Sequence, residues 1–188
     1  YQLASGLSQD VESHDNVFRQ TSARLPWLLI GMLGGIGNSM ILGNFDSTFA
    51  AHPEMALYIP LIGGTGGNVG TQSSALVVQG LANSSLDANG IWKQIMKESV
   101  VAVINATIIS MLVYIYNFIR FGATATVSYS VSISLFSVVM FASIFGTLVP
   151  MTLEKLKIDP AIATGPFISI TNDIIGMMMY MGITALLS

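Results

Sequence analysis

One ionisable residue, Asp173, lies well inside the apolar C-terminal stretch GPFISITNDIIGMMMYMGITALLS. A lipid-facing carboxylate costs several kcal/mol, so such a group turns toward a protein interior or a water-filled path. Gly165, Ser169, Asp173 and Gly176 are spaced four, four and three apart, which predicts one stripe on a helix. Tyr180 and Thr184 extend that stripe and Asn172 flanks it. No lysine, arginine or histidine lies inside any apolar span, so the charge must be met by a proton or by a passing cation. Hard divalent cations prefer carboxylate, carbonyl and amide oxygens. The competing expectation is a buried aspartate bonded to a neighbouring hydroxyl or amide.

A second apolar segment, YIPLIGGTGGNVGTQSSALVV, supplies more oxygen ligands. Gly66 and Gly67 lie there beside Asn68 and Gln72, within a run of five glycines. Each glycine weakens a helix by about 1 kcal/mol relative to alanine, so this run predicts a distorted helix. Irregular backbone at membrane depth is tolerated where it is buried in protein or lines a cavity. Tight packing would explain the glycines alone; Asn68 and Gln72 beside them favour a polar path. No lysine follows the glycines, which excludes a Walker-type phosphate loop.

Other reactive side chains are sparse. The loop NFDSTFAAHPEM carries Asp46, His52 and Glu54 without a basic residue, so it reads as a cation-attracting mouth or a plain solvated loop. Glu98 opens the third span, where it is expected to cap the helix or pair with a lysine. A serine nucleophile would need a base, yet His14 and His52 both lie outside the spans. An intramembrane aspartyl protease needs two carboxylates, so an enzyme is not expected. One carboxylate is also a weak cation site. A two-fold homodimer would double the charge facing one ion.

The elements that must position these residues follow from composition. Of 188 residues 52% are hydrophobic and 9% charged, against about 25% charged in soluble domains. This is an all-α membrane protein by composition, whose partner is a lipid bilayer. Its net charge of −3 has the wrong sign for nucleic acid. The absence of cysteine excludes disulfides and thiolate metal sites. Five stretches of roughly 20 apolar residues span 25–42, 56–81, 99–119, 128–153 and 166–187. Arg19, Arg24, Lys93, Lys97, Lys155 and Lys157 fall on one side of the membrane and only Arg120 on the other. The positive-inside tendency then predicts a cytoplasmic N-terminus and an external C-terminus.

Residues 1–21 are polar, and Leu3, Leu7 and Val11 have the spacing of a short amphipathic helix. A second interfacial helix is expected over 91–98. Gly31, Gly34, Gly35 and Gly37 predict close helix packing of the first span. The same holds for Ser143 and Gly146 in the fourth span, with a kink at Pro150. The serines at 128, 130, 132 and 134 alternate as in a strand, but the apolar run beyond them is too long for one. The chain opens on Tyr1 without a charged-then-apolar leader, so a piece of a longer protein is expected.

The segments PLIGGTGGNVGTQSSALVVQGLA and IDPAIATGPFISITNDIIGMMMY resemble the transmembrane domain of the MgtE family of magnesium channels and transporters. The resemblance runs from the Pro26-Trp27 region to the C-terminus. It implies a homodimer of five-helix subunits in the cell membrane, with a pore on the two-fold axis lined by the second and fifth helices. Residues 22–188 would form that domain and 1–21 a plug-like juxtamembrane helix, with the family's cytoplasmic sensor domains absent.

On this resemblance Asp173 corresponds to the pore aspartate, and the carbonyl of Ser169 to one that faces the hydrated ion. Asp159, paired with Pro160, corresponds to a cytoplasmic magnesium-binding position, and Asp46 to a residue of the external mouth. Gly66, Gly67, Asn68, Gln72, Gly165, Asn172 and Gly176 would line the pore, although family members often carry asparagine at the position of Gly165. The implied function is passage of partly hydrated Mg2+, the transported ion; a Na+- or H+-coupled divalent cation exchanger on the same fold is the alternative.

Overall fold

The structure, a computed structural model, describes residues 5–84, 86, 90–122, 124–163 and 165–187. Residues 1–4 of the N-terminal segment, and 85 and 87–89 of the polar turn, lie outside the described residues. Every regular element among the described residues is helical. Helix α1 spans Val17–Gly43, α2 Asp46–Ala51, α3 Ile59–Ala82, α4 Ile91–Phe121, α5 Thr126–Lys155 and α6 Pro166–Leu187. Short 3-10 helices at Pro53–Tyr58 and Pro160–Ala163 lead into α3 and α6.

Four of these helices, α1, α4, α5 and α6, are long and apolar enough to cross a membrane. Helix α3 is 24 residues long but falls outside that set. Its glycines, asparagine, glutamines and serines replace the aliphatic side chains that the others carry.

Helix α5 is the centre of the bundle, packed against α3, α4 and α6, while α1 packs chiefly on α6. Central placement explains the alternating serines. Ser128, Ser130, Ser132 and Ser134 are all buried, because α5 is covered on nearly every side. The core is built around Ile62, Val131, Leu135, Val138, Met177 and Tyr180. At the α1–α3 end, Tyr180 Oη donates to the Met55 carbonyl at 2.6 Å, tying the 3-10 helix to α6. Tyr58 Oη donates to Asn117 Oδ1, tying the same turn to α4.

Three local expectations fail for physical reasons. Helix α3 is continuous through the glycine run rather than distorted. The propensity lost at each glycine is offset by the close approach it permits: a Cβ on Gly146 of α5 would lie 2.6 Å from the Gly70 carbonyl oxygen. The interfacial helix at 91–98 is simply the first two turns of α4, which runs unbroken for 31 residues. Described residues before Val17 form turns rather than an amphipathic helix. Gly6 has a φ of +90°, and Asn16 accepts a 2.8 Å bond from the Arg19 amide, capping a helix that starts only there.

The glycine stripe of α1 packs as expected only in part, since nothing lies within 4 Å of where a Cβ on Gly35 or Gly37 would be. Gly31 and Gly34 meet Ile170 of α6, where a Cβ on Gly34 would come within 2.6 Å of the isoleucine methyl.

Candidate cation site

The site is the seam between α3 and α6. Glycines of α3 recur every three or four residues along it, so each turn offers α6 bare backbone. A Cβ on Gly63 would sit 3.0 Å from Asp173 Oδ1 and one on Gly67 3.7 Å from Ser169 Oγ. One on Gly70 would fall 2.0 Å from Asn172 Nδ2. Asp173 therefore lies directly against α3. Its one-turn neighbour Ser169 lies there too.

Beside this seam α3 presents an open stripe of Gly64, Asn68 and Gln72, all exposed, while Asp173 and Ser169 are half-buried at its edge. Among the described residues no hydrogen bond and no ion pair engages the Asp173 carboxylate. None of the described neighbouring hydroxyls or amides bonds to it. Nor do the described residues contain a cluster of three or more His, Cys, Asp or Glu side chains that could hold a metal ion.

The other sequence-predicted residues divide. Gly66 and Gly176 are buried against Val138 of α5 instead of facing an open surface. Gly67 is buried under Ser169. Asn172 is 1% exposed, and among the described residues neither its Oδ1 nor its Nδ2 has a partner. All six residues of the stripe lie within about 100° of arc on a helix of 3.6 residues per turn, so the stripe divides by height along α6 and not by angle. Ser169 and Asp173 stay at the edge, whereas Gly176, Tyr180 and Thr184, further along the same face, are buried, with Val138 against Gly176 and Met55 against Tyr180.

Gly165 adopts a φ of +58°, a left-handed conformation open to glycine or asparagine, and its carbonyl accepts from the Ser169 amide at 3.0 Å. Asp159 is exposed in the α5–α6 link, where its Oδ1 accepts a 3.0 Å bond from the Ala161 amide. It stands apart from Asp173. Asp46 is exposed as the first residue of α2, and His52 lies 3.7 Å from Glu54 without a third ligand.

Glu98 departs from the sequence expectation. It neither caps α4 nor pairs with a lysine but accepts a 2.6 Å bond from Ser73 Oγ on α3. The sequence carries no signal for this contact, since it depends on which faces of two helices meet.

Comparison with known proteins bears on the same seam. The family model for MgtE, described as a divalent cation transporter, matches residues 59–183, the whole of α3 through most of α6. The chain belongs to the MgtE family. It is 31% identical to the magnesium transporter MgtE of Bacillus subtilis over 97% of its length, and 32% identical to that of Thermus thermophilus over 88%. These alignments cover 40% and 36% of the relatives, so the chain spans about two fifths of their length. MgtE membership and the four apolar helices make this a multi-pass membrane protein, and its relatives are named as transporters rather than enzymes.

Proposed function

We propose that this chain forms the ion path of a divalent cation transporter and that partly hydrated Mg2+ passes along the α3–α6 face as a channel substrate. The observation that carries this reading is the Asp173 carboxylate, half-buried against Gly63 at the edge of a polar stripe and engaged by no protein group among the described residues. A charge so placed needs a cation. At an effective dielectric of about 20, a carboxylate about 4 Å from a divalent cation gains roughly 8 kcal/mol, twice the monovalent value. Magnesium dehydrates reluctantly, so this preference depends on the ion keeping most of its waters. Asn68, Gln72 and the Ser169 carbonyl would then act through those waters.

Two further features follow. Helix α3, at 24 residues about 36 Å long, is the fifth span, because a polar stripe is tolerable in lipid only where water or a second protein surface covers it. A second copy related by a two-fold axis provides that cover and brings a second Asp173 to the same ion. The N-terminus is cytoplasmic; Asp159 then belongs to the cytoplasmic end and Asp46 to the external mouth. The buried Gly66, Gly67, Asn172 and Gly176 serve as the packed wall behind the path.

The test is Mg2+ uptake by reconstituted protein carrying Asp173→Ala, with the oligomer checked separately. Uptake falls by at least about a hundredfold, a loss of roughly 3 kcal/mol of ion stabilisation. Undiminished uptake by an intact oligomer removes Asp173 from the path. Uptake that requires a Na+ or H+ gradient would replace the channel with an exchanger.

A further inference from the structure

Besides the half-buried Asp173, one carboxylate among the described residues is buried within the bundle. Glu98, two turns into α4, is 9% exposed and accepts the 2.6 Å bond from Ser73, itself buried on α3. Among the described residues no cation pairs with it; Lys93 and Lys97 on the preceding turns point outward. An acid inside a membrane helix is expensive and marks a functional demand. Packing alone would be met by an apolar side chain.

The demand is visible in what the bond joins. Helix α4 packs along α5 and scarcely touches α3 otherwise. Its outward face carries Val100, Ile104, Ile108 and Leu112, all exposed, so it is a lipid-facing element. Helix α3 meets α5 and α6 through glycine backbone, at Gly66 and Gly70. Those contacts hold α3 close to its neighbours. The hydrogen bond from Ser73 adds a directional restraint from α4 on its height and rotation. Ser73 follows Gln72, which is on the open stripe, and lies one turn from Gly70, where α3, α5 and α6 converge.

We propose that Glu98 is a positioning residue for the cation path. Acting through Ser73, it sets the height and rotation of α3, and so where Asn68 and Gln72 stand relative to Asp173. This rests on the ion-path reading above.

The test compares Glu98→Gln, Glu98→Leu, Ser73→Ala and the Ser73→Ala/Glu98→Leu double variant in reconstituted full chain. It measures Mg2+ concentration dependence, competition by Ca2+ and the thermal midpoint. Loss of one hydrogen bond is expected to raise the half-saturating Mg2+ concentration about fivefold in Glu98→Leu and in Ser73→Ala. The double variant stays near that value instead of the roughly 25-fold product that independent sites would give. Glu98→Gln keeps an acceptor of the same size and stays within about twofold.

A purely structural role would lower the thermal midpoint of Glu98→Leu and Ser73→Ala with concentration dependence and Ca2+ competition unchanged. That result overturns the proposal, as does a multiplicative double variant. Ser73→Ala removes a single oxygen, so it carries the test if Glu98→Leu does not assemble. If Asp173→Ala abolishes uptake while these variants leave it unshifted, only the positioning role fails. If Asp173→Ala transports normally, the ion-path reading itself fails.

Discussion

The α3–α6 face and the outer face of α4 are both uncovered in the single chain, yet their chemistry is opposite. On α4, Val100, Ile104, Ile108, Met111, Leu112, Ile115 and Ile119 are exposed, and no charge interrupts them. On α3 the exposed positions at matching helical spacing are Gly64, Asn68 and Gln72, followed by Leu76, with Asp173 at the edge of the polar three. Hydrocarbon satisfies the first surface and penalises the second. Exposure alone therefore does not identify a functional surface in such a protein. The identity of the exposed groups states which solvent each face requires.

Substitutions can break that contrast. The largest structural effect is expected at the glycine seam, because it holds the polar face in place. Gly70→Val drives a side chain into Asn172 and Ile168, which already lie within 2.7 Å of where its Cβ would be. A loss of about 3 kcal/mol, read as lost folded protein in a thermal or detergent titration, is the outcome for overpacking at such a site. Tolerance of valine would mean that α3 and α6 do not meet there.

Next comes the lipid face: Ile108→Asp costs about 3 kcal/mol and reduces membrane-inserted protein, whereas Ile108→Ala changes stability by less than about 1 kcal/mol. Equal effects of the two would contradict a lipid-facing α4.

The smallest effect is expected at Asn172. Removing an amide that has no partner cancels its burial penalty against a small cavity, so Asn172→Ala shifts stability by less than about 1 kcal/mol. Uptake stays within about twofold if the residue is part of the wall behind the path. A tenfold loss of uptake at unchanged stability would return it to the path itself.

Much of the architecture was legible because lipid leaves few options. Apolar length located α1, α4, α5 and α6, and the glycine pairs announced close helix contacts before any coordinates. What the sequence withheld was rotation. The glycine run argued for a distorted α3, since propensity counts only the cost of glycine within its own helix. The compensation comes from Gly146 and Asn172 on other helices. Likewise the row from Gly165 to Thr184 does share one face of α6, but which of its members are buried depends on what packs at each height, as Val138 of α5 does at Gly176. Asp173 was identifiable from its cost alone. Gly176 and Asn172, near it in sequence, were not separable from it until α5 occupied their side.

The Glu98–Ser73 bond illustrates the same limit from the opposite direction. Both residues are polar, both sit in apolar surroundings, and neither spacing nor charge links them. Only the packing of α4 beside α5 brings them together.

The central claim is that two copies of Asp173 face one hydrated divalent cation across a two-fold axis. Anomalous diffraction from the protein grown with Mn2+, a scatterer that takes the same oxygen ligands, addresses it most directly. A peak on the axis beside Asp173, lost in Asp173→Ala crystals of the same dimer, is the predicted result. A dimer whose Asp173 side chains are apart, or whose Mn2+ binds elsewhere with no peak on the axis, would contradict the account.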